Sequence, residues 1–103
     1  MDLKCNTDTA VTALAALAHP GRLDAFRLLV QAGPEGMPAG EVARALNCPA
    51  NSMSTQLAIL SRAGLVRSRR ASRSVLYFAD FQGMSALVQF LVEDCCSGAS
   101  RNG

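Results

Sequence analysis

Apolar and polar positions fall into five helical stretches and two short strand-like stretches. Val11, Leu14, Leu17 and Ala18 recur at helical spacing behind a capping-type residue at Thr7 or Asp8, predicting a first helix over about residues 8–18. Ala10, Ala13, Ala15 and Ala16 favour that helix and keep it slim, so another helix can approach closely. His19-Pro20 ends it, because a residue before proline is pushed out of the helical region. Pro20 then suits the first turn of a second helix, whose apolar face is Leu23, Phe26, Leu29 and Val30 and which stops at Gly33. The run Gly33-Pro34-Glu35-Gly36 reads as a turn. A short third helix is expected from about Ala39 to Leu46 with Val42, Ala43 and Leu46 inward, ending at Asn47-Cys48-Pro49. A fourth runs from about Ala50 to Ala63, with Met53, Leu57 and Leu60 as its buried stripe and Gly64 as its stop. The segments from Leu65 to Arg70 and from Ser74 to Phe78 predict two strands joined by a polar turn. From Asp80 a last helix carries Phe81, Met84, Val88, Leu91 and Cys95, with Leu87 and Val92 beside them. The fold class is α+β, mostly helical.

With 103 residues, half of them apolar, the chain is expected to form a single domain over residues 1–103. The seam of Met84, Val88, Leu91 and Cys95 is too apolar to leave in water, which predicts pairing with a second copy. No stretch has the length of a membrane span, and Met1 to Asn6 lack the apolar core of a secretion signal, so a cytoplasmic protein without a membrane partner is expected. Cys5, Cys48, Cys95 and Cys96 do not have the spacing of a disulfide framework, and a reducing cytosol keeps them as thiols for packing, metalloid binding or redox sensing. An enzyme is not indicated. The one histidine has no nucleophile beside it, no glycine-rich phosphate loop is present and the carboxylates do not cluster.

The net charge of +2 says little, but its distribution says more. Between Glu41 and Asp80 there is no acidic residue, while Arg44, Arg62, Arg67, Arg69, Arg70 and Arg73 all lie there. Such a run is either a solvated basic face or a surface that displaces counterions from a phosphate backbone. The third and fourth helices with their tight turn fit a helix-turn-helix, whose second helix enters the major groove. Near its start Asn51, Ser52, Ser54, Thr55 and Gln56 offer hydrogen-bonding groups sized for base edges, although an ordinary amphipathic helix has a polar face too. The hairpin decides between the two. Arg67, Arg69, Arg70 and Arg73 form a cationic wing directly after the polar helix, and double-stranded DNA becomes the expected partner.

The stretches LAALAHPGRLDAFRLL at 14–29 and EVARALNCPANSMSTQLAILSRAGLV at 41–66, with the wing through Tyr77-Phe78, resemble the ArsR/SmtB metalloregulators over about residues 10–96. The resemblance implies a winged helix-turn-helix repressor. Its reading head would lie at about 39–79, with dimerisation helices at about 8–18 and 80–96, in a homodimer that leaves its operator when an inducer binds. The family's Cys-x-Cys positions fall here on Pro38 and Gly40, and its zinc site of Asp and His on the last helix has no histidine to draw on but His19. What remains is Cys95-Cys96, which resembles the adjacent pair of a group of arsenic sensors and implies trivalent arsenic, as arsenite or an organoarsenical, as inducer, with no permanent cofactor. In that group a further cysteine follows; the tail from Ser97 to Gly103 has none, and Cys5 is the candidate substitute. Adjacent Cα atoms lie about 3.8 Å apart, shorter than the usual disulfide range, so the pair suits a thiophilic centre better than a bond to itself. The alternatives are a winged-helix repressor answering to thiol redox state or another soft metal ion, and a winged-helix module for protein contacts.

Overall fold

The computed structural model of the chain describes residues 5–93. Its first helix, α1 (Thr7–Leu17), is capped by Asn6, whose Oδ1 accepts the Thr9 N–H at 2.9 Å. The cap thus sits just before the Thr7 or Asp8 expected from the sequence. The inward face of α1 is made of Ala10, Ala13 and Ala16, while Val11, 58% exposed, and Leu14 turn away from the core. Small side chains let α1 lie close to α2 (Pro20–Ala32), with Leu17 packed against the core at its end. His19 initiates α2: its Nδ1 accepts the backbone N–H groups of Gly21 at 3.1 Å and Arg22 at 3.3 Å, and Pro20 occupies the first turn. Ala25, Phe26 and Leu29 are buried, whereas Leu23 stays exposed.

After a 3-10 turn at Gly33–Glu35 comes β1 (Met37–Pro38), a strand that the sequence reading did not anticipate. Two residues have no period to read. Then follow α3 (Ala39–Ala45), α4 (Ala50–Arg62), β2 (Val66–Ala71), β3 (Ser74–Ala79) and α5 (Phe81–Val92). The sheet has the order β1-β3-β2, all antiparallel, so the expected hairpin is the larger part of a three-stranded sheet. Met37 faces Tyr77 and Pro38 faces Leu76, and the proline lies on an edge strand, where its missing N–H matters least.

The core is continuous from helices to sheet. Leu29, Val42, Met53, Leu57, Leu60, Leu65 and Val66 are almost wholly withdrawn from solvent. Each large side chain buried this way contributes roughly 1.5–3 kcal/mol, so the stripe of Met53, Leu57 and Leu60 fixes α4 more firmly than any surface polar contact could. On α5 only Leu87 is buried; Met84 and Phe90 pack against the core, and Val88, Leu91 and Val92 are all more than half exposed. Met84, expected in the outward seam, therefore belongs to this chain's own packing, and Val92 joins the exposed strip. No helix among the described residues is long and apolar enough to cross a membrane.

Two glycines join the end of α4 to α5. Gly64, with φ +81°, ends α4 in a left-handed conformation that side chains resist. Its carbonyl lies against Gly83 in the first turn of α5, where a Cβ would overlap the Gly64 oxygen. Asp80 seals the joint: its N–H donates to the Leu65 carbonyl at 2.8 Å, and its Oδ1 accepts the Gly83 N–H at 2.9 Å. Alanine at 83 gains at most about 1 kcal/mol of helix preference. Its methyl meets an unyielding backbone oxygen, an overpacking cost of about 3 kcal/mol. Gly83→Ala should therefore lower stability by about 2 kcal/mol in urea unfolding, and an unchanged midpoint would show that the joint is looser than described.

Candidate nucleic-acid interface

The turn between α3 and α4 is built by Asn47, in the left-handed region at φ 55°, a conformation asparagine tolerates better than most residues. Backbone bonds hold it: Asn47 N–H to the Arg44 carbonyl at 3.2 Å, and Cys48 N–H to the Ala43 carbonyl at 2.9 Å. Cys48 is half-buried against the core, as a small apolar filler would be. Pro49 precedes α4 and supplies no side-chain cap. The positive end of the helix therefore faces outward, a setting that favours anions.

Asn51, Ser52, Ser54 and Thr55 are all exposed on the side of α4 opposite its buried stripe. Two of them are partly committed locally, since Asn51 Oδ1 accepts the Ser52 N–H at 2.9 Å and Thr55 Oγ1 donates to the Asn51 carbonyl at 3.2 Å. The Asn51 amide N–H groups, the serine hydroxyls and the Thr55 methyl remain on the surface. Gln56 stands apart from this set. It is half-buried, and its Oε1 accepts a hydrogen bond from Arg22 Nη1 at 2.9 Å. Arg22 lies on α2, 34 positions away in sequence. No local pattern points to such a contact, and sequence reasoning missed it.

In the wing, β2 pairs with β3 from Val66 opposite Ala79 to Ala71 opposite Ser74. Alternation puts Arg67 and Arg69 on the face they share with Phe78 and Leu76, and Arg70 on the other face opposite Val75. Arg73 sits in the two-residue turn beside Ser72, whose φ of 58° meets the left-handed requirement of tight hairpins. All four arginines are exposed, but they flank both faces and the tip of the wing and do not form one row. Arg44 and Arg62 are exposed at the last turns of α3 and α4. With no carboxylate between residues 42 and 79, every charged side chain of that stretch is an arginine.

Of the four cysteines, Cys5 and Cys48 are described, and both are free thiols. Cys5 is half-buried beside α1 and borders a cavity of about 220 Å³ with Thr9, Leu65, Asp80, Gln82 and Gly83, against the first turn of α5. Cys95 and Cys96 lie outside the described residues. Among the described residues no group of three or more His, Cys, Asp or Glu side chains could hold a metal ion.

A family model described as a helix-turn-helix domain matches residues 17–69, which span α2 to the middle of β2. The Escherichia coli (strain K12) HTH-type transcriptional regulator YgaV is 30% identical over 94 residues, covering 91% of this chain and 93% of that protein. Among solved structures, the homodimeric winged helix-turn-helix DNA-binding domain of Mb0332 from Mycobacterium bovis, described as a possible ArsR-family transcriptional regulator, superposes with a TM-score of 0.68 at 25% identity, over 90% of this chain and 82% of that one. A protein described as a possible transcriptional regulator for arsenical resistance superposes with a TM-score of 0.66 at 28% identity, over 77% of this chain and 79% of that one. The polar outward face of α4, the arginine wing behind it and these likenesses agree, and the chain belongs to the ArsR-family winged helix-turn-helix transcriptional regulators.

Proposed function

We propose that the chain represses transcription as a homodimer on operator DNA and releases it on binding trivalent arsenic. The second copy is called for by the exposed strip of Val88, Leu91 and Val92 on α5, and α1 leaves Val11 and Leu14 exposed as well. In the complex α4 lies in the major groove, with Asn51, Ser52, Ser54 and Thr55 toward the bases and Gln56 at their inner edge. Arg67, Arg69, Arg70 and Arg73 serve the phosphates.

The inducer site consists of Cys95, Cys96 and Cys5. One observation carries this assignment: Cys5 opens onto the first turn of α5. From Gly83 to Val92 that helix rises about 14 Å, so the last residues of α5 are well separated from the turn that Cys5 borders. Two α5 helices paired antiparallel across a dimer axis bring the start of one beside the end of the other. The third thiol then comes from across the interface. Arsenite carries three hydroxyls on As(III); three thiols displace them as three waters, forming three As–S bonds with no change of oxidation state, a match for soft thiolate ligands. Closing such a bridge reorganises the helix pair that sets the spacing of the two reading heads. The likeness to a protein described as a possible regulator for arsenical resistance supports the same inducer.

Leu91→Asp should convert the dimer to monomer in sedimentation at micromolar concentration, because a charge in that strip has no partner to satisfy it. A wild-type protein that sediments as a monomer would overturn the architecture. For the DNA surface, Arg70→Ala and Arg73→Ala should each weaken binding to every duplex and reduce the dependence of log affinity on log salt by about one, whereas Ser54→Ala should chiefly reduce preference for the operator. An unchanged salt slope in the double wing variant removes the wing from the contact. For the inducer, Cys95→Ser and Cys96→Ser should each repress as the wild type does yet stay on the operator when arsenite is added. Cys5→Ser should lose the response to arsenite and keep that to a monosubstituted arsenical, which needs only two thiols. Release of the Cys95→Ser, Cys96→Ser double variant at wild-type arsenite concentration would end the assignment.

A further inference from the structure

Arg22 is placed unlike the other arginines of the chain that face the reading head. It is half-buried, and its guanidinium is engaged within the chain through Nε and Nη1. Its Nε donates to the Ala16 carbonyl at 2.6 Å, an acceptor in the last turn of α1 that has no partner within its own helix. Its Nη1 donates to Gln56 Oε1 at 2.9 Å. Among the described residues this is the one hydrogen bond between two side chains, and it reaches the residue of α4 that sits where the outward polar face turns inward. Beside it, α1 and α4 are separated by a groove walled by Val11, Ala15, Ile59 and Ala63 and by Arg22 itself.

We propose that Arg22 is a positioning residue for operator recognition: it fixes the Gln56 amide from beneath, using the end of α1 as its anchor. A glutamine on a helix surface has three rotatable bonds, and ordering them on binding DNA weakens whatever contact the amide makes. With Oε1 already held by a guanidinium, that ordering is done in the free protein, and the carbonyl's partner fixes which way the amide N–H groups face. The guanidinium suits this task because it donates from two nitrogens of one rigid plane to acceptors on two different helices. A lysine ammonium concentrates its donors at a single point and lacks that fork.

This inference rests on the reading of α4 as the helix that meets the bases, and its test separates the two. Operator duplexes selected from a randomised pool are compared with an unrelated duplex, and the ratio of the two affinities is measured for the wild type, Arg22→Met, Arg22→Lys, Gln56→Met and the Arg22→Met, Gln56→Met pair. Thermal unfolding of each variant is followed alongside. Arg22→Lys keeps a cation at the end of α1, and so guards against a result that reflects folding alone. The ratio should fall about tenfold in Arg22→Met and in Arg22→Lys, at the base pair that Gln56→Met also affects. In the Gln56→Met background, Arg22→Met should change it by less than about twofold, since the two residues act as one unit. An undiminished ratio in folded Arg22→Lys, or a second full loss in the double variant, overturns the positioning role and leaves DNA reading by α4 intact. A wild-type protein that selects no duplex overturns both.

Discussion

Everything in this small molecule is arranged around one helix with two incompatible faces. Met53, Leu57 and Leu60 are held out of solvent by α1, α2, α3 and β2, which all contact α4. That burial determines which side of the helix is left over. Asn51, Ser52, Ser54 and Thr55 are outward because the alternative would put amides and hydroxyls into an apolar core without partners. This polar face is thus presented by the hydrophobic effect acting on the opposite side of the helix, and its orientation is as rigid as the core.

Electrostatics adds reach to this orientation without stabilising the fold. The arginines of the wing and of the ends of α3 and α4 are exposed, and isolated surface charges contribute little to stability. On β2, an edge strand, they also discourage pairing with another sheet. The absence of carboxylates from 42 to 79 gives them a common field, which acts on a polyanion at distances where individual contacts have not yet formed.

The sequence carried much of this in its periods. The stripe on α4, the stop at Gly64, the breaks at His19-Pro20 and Asn47-Cys48-Pro49 and the two long strands all follow from local rules, and local rules suffice for elements longer than one turn or one pleat. β1 escaped because two residues make no pattern. The buried face of α1 escaped for a different reason: with Val11 and Leu14 on one side and Ala10, Ala13 and Ala16 on the other, periodicity marks a helix but cannot say which apolar face meets this chain's core and which faces away. For the site, the exposure of Asn51, Ser52, Ser54 and Thr55 and of the four wing arginines was legible as polar positions flanking apolar ones. The tie between Gln56 and Arg22 was not, since it is created by helix packing between residues distant in sequence. Alternation alone separates Arg67 from Arg70, but only the register with β3 shows that Phe78 and Leu76 share one face with Arg67 and Arg69 while Val75 lies opposite Arg70.

The meeting of Gly64 and Gly83 gives the molecule a mechanical property. Where side chains separate two helices, a small displacement of one is absorbed by rotamer changes and reaches the other diminished. Here a backbone carbonyl rests on a backbone carbon, and there is no rotamer to absorb anything. The first turn of α5 and the end of α4 therefore form a stiff fulcrum, with the length of α4, about 20 Å, as its lever arm. Tilting such an arm by about 10° sweeps its far end, where Asn51 and Ser52 lie, through about 3 Å, close to the spacing of one base pair along the DNA axis.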